Sequence, residues 1–231
     1  MTVNLSVKEL ANLVDHTLLR ADAQRAEFNK LCQEANNYGF KMVAINSSPV
    51  QHCAELLKES PVHVGAAIGF PLGQTMIETK VFEVANAISN GADEIDYVIN
   101  IGELKDGNLT YIRQEMEEIV SLCREKGILS KVILENCYLS DEEKVAVCKI
   151  AKEVLPDFVK TSTGFGTGGA TLADVRLMKE VVGDKVKVKA AGGIRDLETA
   201  LAMVEAGAER LGTSSGIPIV EAYKEFMEEK G

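Results

Sequence analysis

The chain has 231 residues, of which 46% are hydrophobic and 26% charged, and a formal net charge of -10. That length gives one large core, on the short side for a parallel α/β barrel of roughly 250 residues, and the composition excludes a disordered chain. The acidic balance excludes a nucleic-acid binder, which needs many Lys and Arg against phosphates, although a local nest of backbone N–H groups can still hold a small anion.

The opening Met1-Thr2-Val3-Asn4-Leu5-Ser6 lacks a basic segment followed by an apolar one, so no leader is expected. No apolar run approaches the roughly 20 residues that cross a bilayer, and a cytoplasmic protein without a membrane partner is the expectation. A short helix over Val7–Asn12 precedes the first strand and is placed to plug the bottom of a barrel. Short apolar runs then alternate with amphipathic stretches. Strands are predicted at Val14–Leu18, Met42–Ile45, Val64–Ile68, Glu94–Ile99, Lys131–Leu134, Phe158–Thr161, Val186–Ala190 and Arg210–Thr213. Helical spacing fills the gaps, as at Val81, Val84, Ala85 and Ile88 or at Leu197, Leu201, Val204 and Glu205, and a last helix is expected near Ile219–Met227. Such alternation predicts an α/β fold, a (β/α)8 TIM barrel forming a single domain over residues 1–231.

Boundary chemistry agrees. Ser140-Asp141-Glu142-Glu143 reads as a capping box. Asn90-Gly91-Ala92-Asp93-Glu94 and Ala206-Gly207-Ala208-Glu209-Arg210 each put Gly past a helix and then enter a strand, and Tyr38-Gly39-Phe40 is a fainter version. The cysteines Cys32, Cys53, Cys123, Cys137 and Cys148 are odd in number and widely spaced, which reads as reduced packing thiols. His16, His52 and His63 do not fall at zinc-ligand spacing, so no metal is expected.

Lys160 and Lys189 carry the chemistry. Each stands near the end of a β-branched run that a glycine-rich stretch follows, and in such barrels the site lies at the C-terminal ends of the strands. An ammonium held against another inside a barrel loses its proton more readily, and a neutral amine attacks a carbonyl. Alternation along Glu94–Asn100 turns Asp96 inward if Ile95, Tyr97 and Ile99 pack on helices, and Glu135 is inward by the same parity. Lys189 shares its face with Lys185 and Lys187, which are expected at the exposed strand start and near the bottom. The bland alternative, a structural ion-pair network of the lysines with Asp96 and Glu135, stands beside the Schiff-base reading.

Gly164-Phe165-Gly166-Thr167-Gly168-Gly169 fits G-x-G-x-x-G, but the next strand ends in Lys189 where a ribose-binding acid belongs. Taken with Gly192-Gly193 and Gly212-Thr213-Ser214-Ser215-Gly216, it reads better as a phosphate site built from late barrel loops.

Val14-Asp15-His16-Thr17-Leu18-Leu19, the stretch Glu94 to Gly102, Val159-Lys160-Thr161-Ser162-Thr163-Gly164-Phe165, Val188-Lys189-Ala190-Ala191-Gly192-Gly193-Ile194-Arg195 and Arg210 to Gly216 together resemble the deoxyribose-phosphate aldolase family, in order and over nearly the whole chain. The resemblance implies a class I aldolase that uses no metal or organic cofactor and reversibly splits 2-deoxy-D-ribose 5-phosphate into D-glyceraldehyde 3-phosphate and acetaldehyde. It implies Lys160 as the Schiff-base residue, Lys189 as the group that lowers its pKa, and Asp96 as proton donor and acceptor through a water. Gly164, Gly192, Gly193, Ser214 and Ser215 would hold phosphate, with Asp15 and Thr17 bordering the sugar end.

Three departures from that pattern stand out: Ala44 where a cysteine is frequent, Asn136 in Glu135-Asn136-Cys137, and an end at Glu228-Glu229-Lys230-Gly231 without a tyrosine. Arg195 is expected to pair with Asp196. A different phosphosugar aldolase or isomerase, or a non-catalytic sugar-phosphate-binding barrel, are the alternatives, and a homodimer is the default assembly.

Overall fold

A computed structural model describes residues 4–229; the leader reading at Met1–Val3 and the terminal Lys230-Gly231 lie outside the described residues. Eight parallel strands close into a barrel in sequence order. They are β1 (Val14–Leu18), β2 (Met42–Asn46), β3 (His63–Ile68), β4 (Glu94–Val98), β5 (Leu129–Ile133), β6 (Phe158–Lys160), β7 (Lys187–Ala191) and β8 (Arg210–Thr213). The helices are α1 (Val7–Ala11), α2 (Arg25–Tyr38), α3 (Val50–Leu56), α4 (Ile77–Ser89), α5 (Ile101–Lys105), α6 (Leu109–Lys126), α7 (Asp141–Val154), α8 (Leu172–Val182), α9 (Leu197–Glu205) and α10 (Gly216–Glu228). All eight predicted strands are present, with ends shifted by a residue or two. Among the described residues no helix is long and apolar enough to cross a membrane.

The expected boundary devices form. Ser140 Oγ accepts from Glu143 N at 3.3 Å while Ser140 N donates to Glu143 Oε2 at 2.7 Å, which starts α7. Gly39, Gly91 and Gly207 all take positive φ just past helices. One element was not foreseen: α5 and α6 both lie between β4 and β5. Asn100 accepts from Glu103 N to cap the first, and Asn108 accepts from Tyr111 N to cap the second. Those two local caps break what otherwise reads as one helical run. The N-terminal helix, expected beneath the barrel, has α10 as its packing partner, and Tyr223 Oη ties the segment before it by donating to the Leu5 carbonyl at 2.7 Å.

Alternation sorts the strands into two faces. Val14, Val43, Val64, Ile95, Tyr97, Val132, Val159, Val188 and Leu211 join the apolar layer between barrel and helices. Their neighbours point to the barrel axis, and there the chain is charged on β1, β4, β5, β6, β7 and β8. Small residues make the room. A methyl at Gly65 would lie 2.3 Å from Met42 Sδ, and one at Gly212 would lie 3.2 Å from Lys189 Cε.

A buried ion pair braces the outside of β4. Lys80 on α4 and Glu115 on α6 are both fully buried. Lys80 Nζ donates to Glu115 Oε1 at 2.5 Å and to the Val98 carbonyl at 2.7 Å, while Glu115 Oε2 accepts from Asn100 N at 3.1 Å. Burial pushes the Lys80 ammonium down and the Glu115 carboxyl up, so each ion depends on the other. Glu115→Ala is therefore expected to cost roughly 3–5 kcal/mol in urea unfolding, and the apolar double change Lys80→Met with Glu115→Leu far less. Equal losses in the two proteins would show that the pair, not its breakage, supplies the stability.

Candidate active site

Strand register sets Lys160 on β6 beside Lys189 on β7, and Asp96 on β4 beside Lys131 on β5. Inside the barrel these groups meet. Lys160 Nζ and Lys189 Nζ donate to the same oxygen, Asp96 Oδ2, at 2.8 and 2.7 Å, and Lys131 Nζ donates to Asp96 Oδ1 at 2.6 Å. Lys189 also lies 2.5 Å from Asp15 Oδ2, and Arg210 Nε donates to Asp15 Oδ1 at 2.8 Å. Lys131 lies 2.5 Å from Glu94 Oε2, which Arg210 Nη2 reaches as well.

Six charges thus alternate in a closed circuit: Arg210, Asp15, Lys189, Asp96, Lys131, Glu94 and back to Arg210. The circuit is balanced, three carboxylates against three cations. Lys160 joins it from outside, through Asp96, so a proton on Lys160 is surplus charge. Burial is the largest force on that ammonium and pushes it down; Asp96 opposes, Lys189 and Lys131 assist, and the pKa comes to about 8. Asp96 is the reverse case. Burial works against its charge, yet Lys131, Lys160 and Lys189 together hold it well below the usual carboxylate range. The same logic lowers Glu94 against its burial, through Lys131, His63 and Arg210.

The expectation that crowding between two amines dominates is corrected here: burial outweighs it, and Lys189 is no bare neighbour but sits between two carboxylates. Nor are both amines on the rim. Lys160 lines a cavity of about 460 Å³ at the C-terminal end of the barrel, whereas Lys189 is fully buried beneath it.

The cavity walls come from Thr17 and Ala44, from Gly164 and Phe165 after β6, from Gly192 and Gly193 after β7, and from Ser214 after β8. Two expected contacts fall elsewhere. Asp15, read as bordering the sugar end, is fully buried below the cavity in the circuit. Ser215 does not line the cavity; its N–H donates to Thr213 Oγ1 at 2.9 Å as the chain enters α10. The Arg195–Asp196 pairing is also corrected. Asp196 caps α9 by accepting from Thr199 N at 2.8 Å, and among the described residues no ion pair holds Arg195, which stands exposed on the cavity wall. Arg20 shares that wall but is engaged by Asp22 and Glu27.

Glu135 does not join the lysines. It accepts from Thr163 N at 3.1 Å and from Thr163 Oγ1. Asn136 turns away from the cavity, its Nδ2 donating to Met178 Sδ at 3.2 Å. Cys137 is half-buried and the other four cysteines are buried free thiols. Lys185 is exposed, and Lys187 lies near the bottom with Nζ 5.7 Å from the Phe158 ring centre. Sequence reasoning missed Lys131, Glu94 and Arg210. The signal was available, since Lys131 shares parity with Glu135 and Glu94 with Asp96.

A depressed lysine is a stability cost with a defined pH window. Between pH about 8 and the ordinary lysine value of 10.5 the unfolded chain binds this proton and the folded one does not, so stability rises with pH across that window. Below it the cost is complete. Lys160→Met is expected to stabilise the protein at pH 7 by roughly 3 kcal/mol, and by much less at pH 10, in denaturant titrations. No gain at pH 7 would mean that the Lys160 ammonium is as comfortable as a solvated one.

Known proteins resemble this chain over nearly its whole length. The DeoC/LacD family aldolase model matches residues 10–221. A deoxyribose-phosphate aldolase of Bacteroides thetaiotaomicron is 58% identical over 223 residues, covering 96% of this chain and 94% of that protein. One of Thermococcus gammatolerans is 55% identical over 218 residues, covering 94% and 97%. The structure of the tetrameric deoxyribose phosphate aldolase from Aeropyrum pernix superposes with a TM-score of 0.89 at 32% identity, covering 96% of this chain and 93% of that one. A lysine-bearing cavity at the C-terminal mouth of an eight-stranded barrel, joined to likeness of this extent, places the chain in the DeoC/LacD family of aldolases.

Proposed function

We propose that the chain is a class I aldolase that reversibly cleaves 2-deoxy-D-ribose 5-phosphate to D-glyceraldehyde 3-phosphate and acetaldehyde through a Schiff base on Lys160. The observation that carries this reading is a buried amine at the cavity floor, surplus to a balanced charge circuit. At pH 7 a pKa of about 8 leaves about one Lys160 in ten uncharged, against about one in three thousand for an ordinary lysine.

The neutral Nζ attacks C1 of the open-chain sugar, forming the N–C bond while the carbonyl oxygen gains a proton. Loss of water gives the protonated Schiff base. The C3 hydroxyl then gives up its proton, its oxygen becomes a carbonyl, and the electron pair of the C2–C3 bond flows into the iminium. Glyceraldehyde 3-phosphate leaves, and an enamine remains on Lys160. Protonation at C2 and hydrolysis release acetaldehyde and restore the amine. The iminium is the electron sink, so the lysine supplies the chemistry on its own.

Around it the other residues divide the work. Lys189 keeps Lys160 from binding its proton tightly. Asp96 orients the Lys160 amine and passes protons through a water; held ionised by three cations, it keeps none for long. Thr17 borders the sugar end, with Asp15 acting beneath it through Lys189. Gly164, Gly192, Gly193 and Ser214 offer donors to the phosphate, Ser215 sits just behind, and Arg195 brings an unpaired charge to the same wall.

Borohydride reduction with acetaldehyde is the direct test. A mass gain mapped to Lys160, absent in Lys160→Ala, is expected; a folded protein that binds sugar phosphate and forms no adduct would be a binder rather than an aldolase. Lys189→Leu should slow cleavage and move the acidic limb of the pH–rate profile, where Lys160 becomes reactive, to higher pH, because it removes a cation beside Lys160 and leaves Asp96 less neutralised. An unchanged pH–rate profile would remove Lys189 from the mechanism.

A further inference from the structure

Glu135 is the group the reaction leaves unused. It is a buried carboxylate, 2% exposed, immediately after β5, and its backbone is left-handed at φ 56°. Among the described residues Leu155 is the other non-glycine with positive φ. An L side chain there carries a strain of roughly 1–2 kcal/mol, which persists where surrounding contacts over-determine the position. The contacts are visible. Asn136 N donates to the Thr161 carbonyl at 2.9 Å, which ties the turn to the end of β6. Glu135 Oε1 then accepts from Thr163 N and Oε2 from Thr163 Oγ1, so both oxygens go to one residue. Thr163 Oγ1 in turn accepts from Phe165 N at 3.0 Å.

The chain of bonds ends in the cavity. Thr163, Gly164 and Phe165 all line it, and Thr163 stands three residues beyond Lys160. The loop that follows lies flat on the Glu135 turn. A methyl at Gly166 would fall 2.7 Å from Cys137 Sγ and 3.2 Å from Glu135 Cδ. At its far end the loop abuts the β7 turn, where a methyl at Gly169 would fall 2.2 Å from the Gly192 carbonyl oxygen. The β6 loop is therefore clamped between two neighbouring loops, and the Glu135 carboxylate is the polar half of that clamp.

We propose that Glu135 is a positioning residue that fixes the β6 glycine loop through Thr163 and thereby sets recognition of the substrate's phosphate, without touching the reacting carbons. This rests on the proposed reading of the cavity as a phosphosugar site. A carboxylate that merely stabilised the fold would weaken every activity alike when altered. A positioning role separates the two ends of the substrate.

The test compares wild type, Glu135→Gln and Thr163→Val with 2-deoxyribose 5-phosphate, with unphosphorylated 2-deoxyribose, and with inorganic phosphate as a competitive inhibitor. Glu135→Gln is near-isosteric but cannot accept both Thr163 donors; its KM for the phosphorylated sugar and its Ki for phosphate should rise about tenfold, the scale of a lost charge-assisted bond. Turnover of 2-deoxyribose relative to wild type should move far less, and acetaldehyde should still be trapped on Lys160 by borohydride. The double variant should be little worse than either single one, because both break the same link. Equal losses on both sugars, or additive effects of the two changes, would overturn the proposal. A wild-type enzyme that is trapped by acetaldehyde yet indifferent to phosphate would refute both the phosphate reading and this inference, whereas no trapping in any variant would refute the aldolase reading itself.

Discussion

Seven charged side chains inside one small barrel are tolerable only because six of them close a circuit. Bringing an ion out of water costs several kcal/mol even after relaxation. Here each ion of the circuit touches two of opposite sign at hydrogen-bonding distance, so the attraction is shared around a ring rather than staked on one pair. The circuit also specifies register. Its members come from β1, β4, β5, β7 and β8, and a one-residue slip of any of these strands would turn its charge into the apolar layer under the helices. Of the strands that contribute none, β6 carries Lys160, while β2 and β3 present Ala44, Gly65 and Ala67 to the same interior, where long side chains from opposite need space.

Lys160 owes its lowered pKa to standing just outside that balance. It shares Asp96 Oδ2 with Lys189, so the attraction of the carboxylate is opposed by the repulsion of the neighbouring cation. Burial is then what tips the amine toward neutrality. The arrangement is of the kind in which function and stability pull against each other: the protein holds a cation where a neutral apolar group would sit more easily, and Asp96 offsets only part of the cost of its burial.

Much of this is written in local pattern. The eight strands could be read because each buried strand is a short β-branched run with glycine or acidic punctuation, and their inward residues because side-chain direction follows parity. Lys160, Lys189 and Asp96 were legible for both reasons. The partner choices were not. Asp15 is two residues from Thr17, on the same strand and the same face, yet one lies under the cavity and the other on its wall; depth along the barrel depends on shear, which no single strand encodes. Lys131 and Arg210 were overlooked because each opens its expected strand, and a charge there ordinarily means solvent; in the structure Lys131 stands at the middle of β5 and both face the Phe158 ring inside the barrel. Arg195 and Asp196 look like partners as neighbours in sequence, but the N-terminus of α9 competes for the carboxylate and wins it.

On the proposed reading, the division between floor and wall lets so acidic a chain hold a phosphate. The net charge of -10 is spread over the whole protein, and at physiological ionic strength exposed charges are screened beyond about 8 Å. What lies within that distance of the cavity is the surplus cation of Lys160, Arg195, and the glycine-rich backbone of the late loops. Glycine is required there for contact as well as for conformation. Gly192 and Gly193 take φ of 84° and 80°, and the close approach of Gly169 to the Gly192 carbonyl brings two loops together backbone to backbone. Without side chains between them, the loops after β6 and β7 meet directly, and the β6 loop also packs on the β5 turn, where a methyl at Gly166 would fall 2.7 Å from Cys137 Sγ.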